Sequence, residues 1–311
     1  MRVGLTAMLT DRSIRPDELA RAAEDRGFHS LLLPEHTHLP LVSRDDHPLE
    51  GRVPDDYART LDPFVALATA AGVTESLVLG TGIALLPVRD ALLTAKEVAT
   101  LDHLSGGRVV LGVGAGWNLA ELADHGIDVA TRRARLREQV AAMRSLWRDE
   151  VATFTGDHVS FEPSWAWPKP VAGGVPIWLG VGAGTTGLAD VAAFADVWAP
   201  HGASGLVDAL PRLAAACEAI DRDPATVRTV PVGTRPTAGK LDHLVDLGID
   251  EVVVLLPDVR RDAALAELER LADLLTDWRG AAPAPTDERA RAATSPVDPH
   301  AAPVGARRST T

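Results

Sequence analysis

Short apolar runs alternate with helical patterns through the first 280 of this chain's 311 residues, and the alternation repeats eight times. Strands that take turns with helices call for a parallel sheet. Eight repeats at this length fit one closed α/β architecture, a (β/α)8 TIM barrel, with an open doubly wound sheet as the other option. The runs are VGLTAML (3–9), SLLLP (30–34), LVLGTGIAL (77–85), RVVLGVG (108–114), PIWLGV (176–181), ADVWAP (195–200), VRTVPVG (227–233) and EVVVLLP (251–257). Insertions follow the second strand (37–60) and the fourth (150–174). Residues 1–280 are expected to form the barrel. Residues 281–311, with five prolines and only Val297 and Val304 as sizeable aliphatics, are expected to be a disordered tail.

Charge narrows the partners. Lys and Arg number 31 against 43 Asp and Glu, a net charge of −12, which opposes nucleic acid and anionic membrane surfaces. A single cysteine, Cys217, rules out an internal disulfide framework. No apolar run approaches the roughly 20 residues of a membrane span. The expectation from composition is a soluble, cytoplasmic protein, and composition says nothing of its chemistry.

In a barrel the chemistry sits at the C-terminal ends of the strands. After strand two stand Pro34-Glu35-His36-Thr37-His38, where a histidine can move a proton near neutral pH and Glu35 can orient it. After strand three stands Gly80-Thr81-Gly82, consistent with a bulge or a close backbone approach. After strand four, Gly112, Gly114 and Gly116 alternate before Trp117-Asn118. That pattern suits either amide donors facing an anion, with Trp117 as a flat apolar wall, or a strained turn with a core tryptophan. After strand five, Gly182-Ala183-Gly184-Thr185-Thr186-Gly187 is a formal G-x-G-x-x-G. A dinucleotide site needs an acidic residue some 20 positions on, yet the next strand ends Trp198-Ala199-Pro200. A phosphate cradle at a helix N-terminus suits the loop better.

A metal-dependent barrel hydrolase is the competing class. His36, His38, His201 and Asp258 are ligand types at strand ends, but a bridging lysine and a further histidine are missing. A cofactor-free binding barrel is a third possibility.

The segment DPFVALATAAGVTESLVLGTGIALLPVRDALLTAKEVATLDHLSGGRVVLGVGAGWN (62–118) resembles the luciferase-like monooxygenase superfamily. Within it, the likeness is greatest to the branch that uses the deazaflavin F420. LDHLSGGRVVLGVGAGWN carries most of the resemblance, which extends over roughly residues 1–275. The resemblance implies a barrel holding F420, or alternatively FMN, across the strand ends. Its chemistry would be hydride transfer or, with reduced flavin, oxygen insertion. Similar members place an Asp-His pair after strand two; here the pair is Glu35-His36, with His36 as proton donor or acceptor. They seat the cofactor ring on a bulge, often with a non-prolyl cis peptide, which corresponds to Thr81, Gly82 and Ile83. Ala115 and Gly116 match positions touching the ring or its chain, and Gly182, Ala183, Gly184 and Thr185 match the phosphate loop. Sugar-phosphate dehydrogenases of the group carry a glutamate where Trp117 stands, so the resemblance implies an apolar or aromatic substrate. Its pocket is expected to use Trp117, Asn118, Trp165 and Trp167. Members are commonly dimers, which implies a homodimer.

Overall fold

The computed structural model describes residues 1–43, 47, 51–257 and 259–281. In chain order the elements are β1 (Arg2–Thr6), α1 (Pro16–Asp25), β2 (Ser30–Leu33), α2 (Pro63–Ala71), β3 (Val78–Leu85), α3 (Ala91–Ser105) and β4 (Val109–Gly114). Then come α4 (Leu119–Asp124), α5 (Arg132–Arg148), β5 (Ala152–Thr155), β6 (Ser160–Ser164), β7 (Ile177–Leu179), α6 (Thr185–Phe194) and β8 (Val197–Trp198). The series ends with α7 (Leu206–Glu218), β9 (Arg228–Thr229), β10 (Val232–Thr234), α8 (Ala238–Asp246), β11 (Glu251–Leu255) and α9 (Arg261–Ala281). Met1–Leu274 form one compact unit; a second begins at Leu275, and its described part is the end of α9. The expected tail lies outside the described residues from position 282 onward, as does Asp258.

The large sheet runs β10-β11-β1-β2-β3-β4-β7-β8-β9, and its pairings are parallel. Its two outer members are halves of one strand split at Val230-Pro231. Val230 and Val232 donate to the carbonyls of Trp198 and Pro200 on one side, and Val253 donates to Pro231 O on the other, each at 2.9 Å. The ring of strands therefore closes as a (β/α)8 barrel. Leu32, Val110, Trp178, Val197, Val230 and Val253 fill its interior. Gly80 makes room for them, since a Cβ there would stand 2.6 Å from Val110 O and 2.9 Å from a Leu32 methyl.

Local signals set the helices. Asp62 caps α2, accepting from Val65 N at 2.9 Å with Pro63 in the first turn, and Asp90 caps α3 in the same manner. Gly106, at φ +71°, ends α3 in the left-handed conformation that glycine tolerates. Arg108 then satisfies carbonyls of Ala71, Thr74, Leu77 and Ser105, while Asp102 accepts from Val109 N and Val171 N. The LDHLSGGR run thus ties α3 to the N-terminal end of β4, away from the strand ends where chemistry is expected.

The second insertion is more ordered than its sequence suggests. β5 and β6 pair antiparallel, and Phe154, Phe161 and Val159 pack on Ala91 and Ala142 of α3 and α5. Glu138 accepts from the N–H groups of Asp157, His158 and Val159, and the Lys169 ammonium donates to Leu146 O and Asp149 O. The insertion is bound along the outside of α3 and α5.

A Cβ at Gly112 would stand inside the van der Waals radius of Thr81 O, a backbone atom with no flexible end to yield. Gly182 has open space at the same position. Gly112→Ala is expected to cost about 1–3 kcal/mol in urea unfolding, against less than about 0.5 kcal/mol for Gly182→Ala.

Candidate active site at the strand ends

The four residues of β2 are fully buried, so the chain leaving them emerges at the barrel mouth. Extended backbone sends neighbouring side chains to opposite sides, and Glu35 and His36 part accordingly. The Glu35 carboxylate accepts from Leu85 N and Arg89 Nε, each at 2.8 Å, and from Arg89 Nη2. Burial opposes the charge of Arg89, but Glu35 and Asp62 outweigh it and keep the guanidinium firmly ionised. Glu35 therefore clamps the β3–α3 turn and does not orient His36, contrary to the sequence expectation.

The group that does so is Glu121, which sequence reasoning missed. Its Oε2 lies 2.7 Å from His36 Nδ1, and its Oε1 accepts from Thr37 N at 2.8 Å and Thr37 Oγ1 at 3.0 Å. Burial disfavours the Glu121 charge, yet these bonds from His36 and Thr37 outweigh it and hold the carboxyl below the ordinary glutamate range. An ionised carboxylate only accepts, so Nδ1 carries the proton. Nε2 is then the working nitrogen, without a hydrogen-bond partner among the described residues. Glu121 is placed by α4, whose first turn is capped by Asn118: its Oδ1 accepts from Glu121 N at 3.2 Å and from Ser43 Oγ at 2.7 Å. Asn118-x-x-Glu121 is a capping-box spacing, the one signal that pointed to a helix start here. In the fold the Glu121 side chain turns outward to the β2 loop instead of back to its cap. The same loop grips α4 through His38 Nε2 on Asp124 (3.0 Å) and Thr37 Oγ1 with His125 Nε2 (2.7 Å).

Aromatic rings surround His36. Trp117 lies 5.6 Å away edge-on, Tyr57 lies 5.0 Å away, and His47 lies 5.3 Å from Trp117. Tyr57 comes from the first insertion, so that segment does reach the site. Trp165 and Trp167 do not join this cluster. They are 77% and 58% exposed, and the Trp167 carbonyl accepts from Lys96 on the outer face of α3. The insertion that carries them is bound to α3 and α5, which corrects the expectation that they line the pocket.

At the end of β3 the pairing with β4 slips between Thr81 and Ala84, and the Gly82–Ile83 peptide is cis. Thr81 Oγ1 donates to Gly112 O at 2.6 Å. The Ile83 side chain occupies the space that a Cβ would need at Gly114 and at Gly180. Gly112 and Gly114 are buried ladder residues of β4 packed on Thr81 and Ile83. They are therefore not free amide donors for an anion, and of the three alternating glycines only Gly116 lies beyond the strand, at φ +83°. Ala115 and Gly116 form the turn that leads into Trp117.

The loop after β7 differs. Gly182 and Gly184 have no atom within 4 Å of a notional Cβ, and α6 starts at Thr185 with no side-chain cap on its amides. Gly187 must be glycine because a Cβ there would lie 2.5 Å from Gly182 O, which folds the loop over the helix start. Trp198 Nε1 fixes the Val181 carbonyl at 2.9 Å. Open glycines over uncapped helical amides suit a phosphate, so the residues present fit the phosphate end of FMN or F420. The buried Asn118 Nδ2, which has no partner among the described residues, is a further polar group at the β4 end.

Among the described residues no group of three His, Cys, Asp or Glu side chains gathers as metal ligands, and no helix is long and apolar enough to cross a membrane. His201 makes a backbone bridge to Val232.

The luciferase-like monooxygenase family model matches residues 15–294. An uncharacterized protein of Mycobacterium tuberculosis is 42% identical over 275 residues, 88% of this chain and 98% of that protein. The F420-dependent glucose-6-phosphate dehydrogenase of Intrasporangium calvum is 30% identical over 182 residues, 56% of this chain and 48% of that enzyme. Among solved structures, an F420-dependent secondary alcohol dehydrogenase in complex with an F420-acetone adduct superposes with a TM-score of 0.71. It is 19% identical and covers 89% of this chain and 99% of its own. The barrel, its strand-end site and these likenesses converge: the chain belongs to the luciferase-like monooxygenase family and is an oxidoreductase.

Proposed function

We propose that this oxidoreductase uses F420 to transfer hydride to or from an apolar small molecule, with His36 handling the accompanying proton. The observation that carries this proposal is the buried His36–Glu121 pair beside Trp117 at the barrel mouth. When bound, the deazaflavin supplies the hydride chemistry; the protein supplies position and protons. Glu121 holds the ring by Nδ1 and fixes its tautomer and orientation, so Nε2 can take a hydroxyl proton as hydride leaves the same carbon, or return it in reverse. Trp117 and Tyr57 keep water from that nitrogen. The Trp117 ring also stands where sugar-phosphate enzymes of the group carry a glutamate, which favours an apolar substrate. Thr81, Gly82, Ile83, Ala115 and Gly116 form the seat for the ring, and Gly182, Ala183, Gly184 and Thr185 the phosphate cradle. An FMN-dependent monooxygenase is the second candidate, because the cradle suits the phosphate of either cofactor.

Absorbance and fluorescence titrations with F420 and with FMN separate the two. Saturable F420 binding is expected, and binding of FMN alone would reverse the assignment. His36→Ala is expected to lower turnover about 10²–10⁴-fold with cofactor affinity little changed, measured by F420 reduction or oxidation. Unchanged turnover would remove His36 from the mechanism.

Glu121 also links the site to acid stability. Its folded-state carboxyl titrates below its unfolded one, so its contribution is fully present above about pH 4.3 and fades as pH falls through the lowered value. Glu121→Gln is expected to flatten the acid limb of a stability–pH curve and to shift the pH profile of turnover. An acid limb identical to the parent's would show that this carboxyl is not held ionised.

A further inference from the structure

The first two turns of α5 carry Arg132, Arg133, Arg135 and Arg137. A helix N-terminus already bears partial positive charge and favours acidic side chains there. Here the first turn holds no acid and Thr131 gives no side-chain cap, in a chain whose net charge is −12.

Two of the four are spent on carbonyls: Arg132 Nη1 on Val129 O at 2.5 Å, and Arg135 Nε on Pro87 O at 3.0 Å. Arg133 and Arg137 instead converge on Asp190 of α6. Each donates Nε and Nη2 to one oxygen of that buried carboxylate, Nε at 2.9 Å and 2.7 Å respectively. Both oxygens are thereby taken, while Nη1 of each arginine has no partner among the described residues. The two side chains are 34% and 46% exposed. The result is a pair of guanidinium groups with surplus positive charge, oriented by Asp190 and presenting open edges to solvent. Such edges match carboxylates in geometry as well as charge.

Their place in the fold identifies the ligand. Thr186 precedes Asp190 by four residues and so stands on the same face of α6, one turn nearer its start. The arginine pair therefore flanks the first turns of α6, about 6 Å along the helix from the phosphate cradle. FMN ends at its phosphate. F420 continues beyond it into a lactyl-oligoglutamate tail, a row of carboxylates. We infer that Arg133 and Arg137, clamped by Asp190, form a subsite for the carboxylate tail of F420 beyond the phosphate. This inference rests on the deazaflavin assignment made above.

The test is a fluorescence titration of the purified chain with F420 bearing no, one and several glutamates, and with the phosphate-free deazaflavin riboside. In the parent chain, affinity is expected to rise about tenfold from the tailless to the long-tailed cofactor, and the gain to shrink as salt rises. Arg133→Gln/Arg137→Gln is expected to abolish the gain while binding the riboside as the parent does. Should the double variant fail to fold, Arg137→Gln alone, which leaves Arg133 on Asp190, is expected to lose part of the gain. Equal affinity for tailless and long-tailed F420 in the parent chain would overturn the subsite and leave the cofactor assignment standing. Binding of FMN with no deazaflavin bound would overturn both.

Discussion

The close approach of the β3 end to β4 governs the rest of the site. Thr81 hydrogen-bonds into β4 at Gly112 O, and the space beside it excludes any Cβ at Gly112. Beyond that contact the pairing slips, and Ile83 swings over Gly114 and Gly180, filling the volume their side chains would need. The displaced strand end presents Ile83 O to Glu35 N and Leu85 N to the Glu35 carboxylate. With Glu35 committed to β3 and Arg89, the next residue of an extended chain must face the other way. That is why His36 meets α4. The strand-end glycines therefore shape the site by sterics, and their amides stay in the ladder.

Electrostatics around the site follows from what is buried. Glu121 and Glu35 are both nearly inaccessible, and a buried carboxylate persists only when hydrogen bonds or a cation replace its lost water. Glu35 has a guanidinium and an amide; Glu121 has an imidazole, a hydroxyl and an amide. The difference decides their uses. An arginine cannot give up its proton at any working pH, so the Glu35–Arg89 pair is fixed, whereas histidine can. Of the two acidic residues beside the mouth, only the one paired with a titratable partner can couple to chemistry.

Much of this was legible in the sequence. Eight strand–helix units predicted the barrel because periodicity and length are global properties, insensitive to detail at any single residue. The LDHLSGGRVVLGVGAGWN run pointed to the family, yet two of its charged side chains are structural: Asp102 and Arg108 satisfy backbone groups at the opposite end from the mouth. Recognition and chemistry thus rest on different residues of one motif. What failed was partner assignment. Glu35 is adjacent to His36 in sequence, but adjacency along extended backbone means opposite faces, so it cannot orient that ring. Glu121, 85 residues distant, becomes a neighbour only through the turn of α4. Trp165 and Trp167 failed for a related reason. Their insertion follows strand four, but the Glu138 and Lys169 contacts bind it to helices on the outer wall.

The open glycine loop between β7 and α6 was legible because glycine pattern, strand and helix N-terminus are all local. The arginines of α5 carried an equally local signal, four cations where a helix favours acids, but its meaning depended on a carboxylate 57 residues away from Arg133. Asp190 converts two mobile side chains into one oriented pair and uses both of its own oxygens in doing so. A single carboxylate shared between two arginines leaves the local field positive. In a chain with an excess of acidic residues, that surplus is a local reversal of the overall charge beside the first turns of α6.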